Sequence, residues 1–278
     1  MQAKEPSGSE SLQPKATKLI ISRKGPLVAG AVALFSLTLL IFTPGDLLSK
    51  LFIISSGVCP QRPAHSSFFQ GQQLPLEARM VGIFGGFALM QFFLWFIGRG
   101  RTLRLPPRPL TLVLMGLVLL TALDGLNASF YDAGLLYLYE PQLALRVFTG
   151  TLAGLALAAL IQPFFNLLVW KLAQRGGTLQ RWRELGAGLL LGGGLIAATL
   201  SGWAIFFWPL ALLAVGGVFS VMVMLNTMIY LMLVGSPRQN FAKSAADLLT
   251  PVSLIFLFTL AEMGLLAIVR VNLIGSPL

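Results

Sequence analysis

A handful of ionisable and nucleophilic side chains stand in otherwise apolar sequence, and they bound the chemistry available. Cys59 and His65, each the only residue of its type, lie six residues apart. That spacing could place both on one metal ion, or set an imidazole beside a thiol and lower its pKa. Two ligands make a thin metal site. The competing reading is a buried, inert cysteine with a histidine hydrogen-bonded in the same loop. A single cysteine excludes any intramolecular disulfide. The second set is Glu77, Arg79, Asp124, Asn127, Arg146 and Glu262. All lie within or at the ends of apolar runs, where a charge is costly unless it is paired or faces a polar cavity. Arg79 and Arg146 suit an anionic headgroup or carboxylate, and Asp124 and Glu262 suit counter-charges or proton carriers. The alternative is structural pairing of Asp124 with Arg146, and of Glu77 or Glu262 with Arg79.

The elements that must position these groups follow from composition. The chain has 278 residues, 56% hydrophobic and only 11% charged, far from the balance of a water-soluble domain. A spanning helix needs about 20 mostly apolar residues. Runs of that kind begin near Pro26, Val81, Leu110, Val147, Leu185, Pro209 and Leu248. They end near Phe42, Ile97, Asn127, Trp170, Phe207, Val234 and Arg270. The expected fold is all-α, a polytopic transmembrane bundle of about seven spans. Residues 1–25 read as a disordered basic tail, and 26–278 as a single membrane domain with a loop cap at 43–80. The first run is long and no small-residue cleavage site follows it, so it reads as a span and not as a cleaved signal peptide.

Seven spans put the termini on opposite sides. Fifteen of the 20 Lys and Arg fall in the tail and in alternate loops around 99–108, 171–183 and 238–243. Only Lys50, Arg62, Arg79, Arg146 and Arg270 fall on the other side. Positive-inside bias then makes the N-terminus cytoplasmic and the cap and C-terminus exoplasmic, in a multi-pass plasma membrane protein. The net charge of +10 is thereby explained without nucleic acid. Glycines four apart, Gly82 with Gly86, Gly150 with Gly154 and Gly188 with Gly192, allow close helix approach. Helix-to-helix hydrogen bonds account for Gln91, Gln162, Asn166 and Asn226.

Three familiar sites are missing from the sequence: a glycine-rich phosphate loop, a two-histidine zinc helix and a Gly-x-Ser-x-Gly elbow. One histidine also rules out bis-histidine haem ligation within the chain. No reaction and no cofactor is named by the sequence. The leading expectation is a non-catalytic protein with an exoplasmic polar pocket for a lipid headgroup or small anion. Alternatives are an accessory subunit packed against other membrane subunits, and a membrane enzyme or thiol site at the Cys59 loop.

Cys59-Pro60-Gln61-Arg62-Pro63, Ser66-Ser67-Phe68-Phe69, Gly71 and Gln73 through Met80, followed by Gly82-Ile83-Phe84, resemble a family of bacterial membrane proteins of unknown function. Leu123 through Asn127, Arg146, Thr149-Gly150 and Gly154 extend the resemblance, which covers about residues 50–155. Members typically carry Cys-His at the loop start and Cys-Ala-Arg-Cys at the next span, which implies metal or thiol redox work. Here Pro60, Glu77 and Met80 stand at those positions, so only the first cysteine is retained. The resemblance supports Arg79, Asp124, Asn127 and Arg146 as site residues and implies no reaction.

Overall fold

The apolar runs become helices because a backbone in hydrocarbon has no water to bond to and must satisfy its own N–H and C=O groups. The computed structural model describes residues 25–171, 174–235 and 240–274. In chain order the helices are α1 (Gly25–Phe42), α2 (Leu47–Ser56), α3 (Ala78–Phe96), α4 (Arg108–Asp132), α5 (Leu143–Val169), α6 (Trp182–Leu200), α7 (Phe207–Val234) and α8 (Leu249–Ile274). All but α2 are long and apolar enough to cross a membrane. The protein is thus an α-helical membrane protein with seven candidate spans. The expected tail falls outside the described residues except for Gly25, which opens α1.

Several helix ends differ from expectation, and two differences matter. Helix α4 continues past Asn127 to Asp132, and α5 starts at Leu143, so Asp132 and Arg146 are both helical. The run expected to end near Phe207 stops at Leu200, because Gly202 takes a left-handed conformation (φ 67°) that breaks the helix. A 3-10 turn at Ala204–Phe206 then leads into α7.

Helices α3 and α5 run parallel and form the centre of the bundle. Their backbones touch because glycines line the seam: a Cβ on Gly82 would lie 2.6 Å from the Thr151 nitrogen. A Cβ on Gly150 or Gly154 would collide with the carbonyl oxygens of Arg79 and Ile83. Gly188 and Gly192 of α6 instead receive side chains, Met90 and Leu155 respectively. Helix α4 packs on α5, α7 on α3, and α8 on α1, α2 and α7.

Thr43 to Glu77 folds as a cap over one end. Asp46 starts α2 by accepting the Ser49 amide at 2.9 Å, an N-cap bond. A 3-10 turn at Pro63–His65 follows, then a hairpin of β1 (Phe68–Phe69) and β2 (Gln72–Gln73). Its turn residues Gln70 and Gly71 both have positive φ, 47° and 83°, as a two-residue type I′ turn requires. Leu51, Cys59, Phe69, Leu74 and Leu76 join one apolar core with residues of α3, α6, α7 and α8. At the opposite, basic end, β3 (Thr102–Arg104) pairs in parallel with β4 (Gln174–Gly177). Asn166 and Gln162 hold this unit by donating to the Gly100 carbonyl at 3.1 and 2.8 Å. Neither strand pair was expected from the sequence.

The glycine seam generates the first prediction. Gly154→Ala lowers stability by about 1–3 kcal/mol or more through overpacking. Gly116→Ala, on a helix face with open space around it, leaves stability unchanged or raises it slightly. Thermal unfolding in detergent separates the two.

Candidate functional site at the cap end

Because α3 and α5 both begin under the cap, their first turns bring Arg79 and Arg146 to the same end of the bundle, with the end of α4 beside them. Asp124, only 3% exposed, accepts from Arg79 Nη2 at 2.7 Å, from the Tyr139 hydroxyl at 2.6 Å and from Thr149 Oγ1 at 3.0 Å. A buried carboxylate is stable only when charge-paired and multiply hydrogen-bonded. Asp124 meets that condition. Asn127, one turn further along α4, accepts the Leu138 amide at 2.7 Å and donates to the Tyr139 carbonyl at 2.8 Å. It thereby pins the α4–α5 connection so that the Tyr139 ring reaches Asp124. Burial and the hydrogen bond to that carboxylate push the Tyr139 phenol up to about 12, so it acts as a donor at neutral pH.

A second network links the cap to the bundle. Glu77 Oε1 accepts the Arg62 amide at 3.0 Å and Arg62 Nε at 3.1 Å. Arg62 Nη1 reaches on to Asp132 at 3.0 Å. His65 stands between the same two carboxylates, Nδ1 3.7 Å from Glu77 and Nε2 3.5 Å from Asp132. Burial, with the fields of Arg146 and Arg62, nevertheless holds its pKa below the ordinary imidazole value, so it is neutral at pH 7. Cys59 Sγ accepts the Glu77 amide at 3.3 Å, and burial pushes the thiol up to about 11. At neutral pH it is therefore not a thiolate nucleophile. Among the described residues no three His, Cys, Asp or Glu side chains are placed to hold a metal ion. Cys59 is on the Glu77 backbone amide, whereas His65 stands beside the Glu77 and Asp132 carboxylates.

The ion pairs run differently from the sequence expectation. Asp124 pairs with Arg79 and not with Arg146, and Glu77 pairs with Arg62 and not with Arg79. Arg146 is 6% exposed and lies in the field of Arg79, Asp132, Glu77 and Arg62. Its guanidinium makes no hydrogen bond or ion pair among the described residues. The N-cap residue of α5, Gln142, also supplies no side-chain cap. Glu262 does not join the cluster: it sits in α8, bonded to Asn226 of α7 at 2.7 Å. Sequence reasoning missed Asp132, Tyr139 and Thr149. Asp132 was one turn past the expected end of its span, and the uncharged hydroxyls of Tyr139 and Thr149 carry no signal of buried charge.

The segment that builds this cluster is also the one with a recognisable relationship. Residues 59–160 match DUF2085, a family of predicted membrane proteins of unknown function. The DUF2085 segment runs from Cys59 in the cap through α3 and α4 into α5, and so contains Arg62, His65, Glu77, Arg79, Asp124, Asp132, Tyr139 and Arg146. Glu262 lies outside it. No curated protein and no solved structure matches the chain.

A neutral buried histidine carries a pH dependence with a definite sign. Its pKa is lower folded than unfolded, so its contribution is full above the ordinary imidazole value and is lost as pH falls toward the lowered one. The melting temperature of the wild type should fall on acidification from pH 7.5 to about 5, more steeply than that of His65→Gln. Parallel melting curves would remove His65 as the cause.

Proposed function

We propose that this is a binding protein of the cytoplasmic membrane whose cap end, on the exoplasmic face, holds a small anionic group such as a phosphate headgroup or a carboxylate. One observation carries the reading: Arg146 is buried and, among the described residues, its guanidinium has no hydrogen-bond or ion-pair partner, whereas every other described cap-end cation is engaged. Arg62 and Arg79 hold carboxylates, Lys50 donates to the Leu40 carbonyl, and Arg270 donates to the Ser56, Cys59 and Pro60 carbonyls. A buried guanidinium without a hydrogen-bonded partner is expensive, and its planar fork matches two oxygens of phosphate or carboxylate at once. The uncapped start of α5 adds partial positive charge from its free amides. Binding is favoured over catalysis because the thiol is protonated, the imidazole has no nucleophile beside it among the described residues, and all three arginine-bound carboxylates are committed to structure.

The orientation rests on the cations of the loops. Arg99, Arg101, Arg104, Arg108, Lys171, Arg175, Arg181, Arg183 and Lys243 all lie in connections or first helical turns at the end opposite the cap. Positive-inside bias puts that end in the cytoplasm.

The test is thermal unfolding of the detergent-purified protein with phosphatidylglycerol, with inorganic phosphate and with phosphatidylcholine. Near saturation, the favoured ligand should raise the wild-type melting temperature by roughly 5–10 °C and leave Arg146→Gln unmoved. Arg146→Lys, which keeps the charge but not the fork, should respond weakly. A shift with the lipid alone assigns a headgroup, and a shift with phosphate as well assigns a free anion. No shift, or an equal shift in Arg146→Gln, contradicts the reading.

A further inference from the structure

A second polar site lies in the middle of the span pair α7 and α8, away from the cap cluster and outside the DUF2085 segment. Glu262 is close to the midpoint of α8, about 20 Å along the axis from Leu249. Its residues one turn away, Phe258 and Leu265, are 62% and 61% exposed on the lipid-facing surface. Glu262 itself is half-buried. Asn226 donates its amide nitrogen to Glu262 Oε2 at 2.7 Å and to Thr259 Oγ1 at 2.9 Å. The other carboxyl oxygen, Oε1, makes no hydrogen bond among the described residues.

Among the described residues no cation pairs with this group. Helix α1 contains no ionisable residue. On α2, Lys50 donates to the Leu40 carbonyl, and the neighbouring cap loop brings only Cys59, whose sulfur is on the Glu77 amide. Helix α7 contributes Tyr230, and the segment before α8, at the basic end, contributes Lys243 and Asp247, the carboxylate of Asp247 accepting the backbone amides of Lys243 and Ser244. Arg270, two turns on and about 12 Å away along α8, is spent on the carbonyls of Ser56, Cys59 and Pro60. A bare carboxylate at this depth is costly, so its charge must be met by a small cation taken from outside the chain.

We infer that Glu262 and Asn226 form a proton-binding site at mid-membrane. The depth and the missing countercharge decide for a proton. Asn226 presents N–H to Oε2, a bond that either protonation state accepts, and Oε1, without a hydrogen bond among the described residues, is open to carry the O–H. The same arrangement presents no oxygen cage for a metal cation.

Dicyclohexylcarbodiimide tests this, because it reaches protonated carboxyls in apolar surroundings. The acid proton moves to a carbodiimide nitrogen, the carboxyl oxygen bonds to the central carbon, and acyl transfer to nitrogen leaves a stable N-acylurea. With the full chain in liposomes, peptide mass spectrometry should find this adduct on Glu262. Labelling should fall as pH rises, by no more than about tenfold for each unit. It should be indifferent to sodium chloride and absent from Glu262→Gln, which keeps the Asn226 hydrogen bond and the fold. Absence of a Glu262 adduct at acid pH, labelling that does not change with pH, or protection by sodium ions would each overturn the inference.

Discussion

The backbone contact between α3 and α5 is the constraint on which the rest depends. Two parallel helices can approach this closely only where neither carries a side chain, and Gly82, Gly86, Gly150 and Gly154 provide that. The contact fixes the two helix starts at one level, so Arg79 and Arg146 emerge together beneath the cap. Two like charges and two positive helix ends in one buried region demand negative charge, which α4 and the cap supply.

How that charge is distributed explains the site. Asp124 is held from three directions and belongs to Arg79, while Glu77 and Asp132 share Arg62 and flank His65. The number of carboxylates equals the number of arginines in the cluster, yet one arginine takes two of them. Arg146 is the cation left over. Asn127 matters indirectly, because without its grip on the α4–α5 connection Tyr139 would not be delivered to Asp124. The cap is likewise tied down by polar contacts with the bundle, and its apolar residues complete a core begun by α3 and α7.

Much of the fold was legible because span length and apolarity are local properties. All seven runs are helices, and two of the three glycine pairs, Gly82 with Gly86 and Gly150 with Gly154, lie in the central seam, whereas Gly188 and Gly192 receive side chains. The pairing of charges was not legible. Whether Asp124 meets Arg79 or Arg146 depends on the rotation of α4 about its axis, which no local pattern records. Asp132 was hidden because polar Asn127 looked like a span end, although its side chain in fact serves the following loop. The proposed convergence of Glu262 with the cap charges failed for a similar reason: depth can be read from sequence, but which helices neighbour α8 cannot. The short strands at the basic end form because buried Asn166 and Gln162 offer donors to the loop backbone, a match visible only once α5 and that loop are adjacent.

The central claim is that Asp124 pairs with Arg79 and leaves the Arg146 guanidinium without a direct partner among the described residues. A double-mutant cycle on Arg79→Met and Asp124→Leu, read by unfolding free energy in detergent, tests it most directly. Each single substitution strands a buried charge and should cost about 3–5 kcal/mol, whereas the double should cost much less than their sum. A parallel cycle of Asp124→Leu with Arg146→Met should be close to additive. Strong coupling of Asp124 to Arg146, with additivity toward Arg79, would contradict the account.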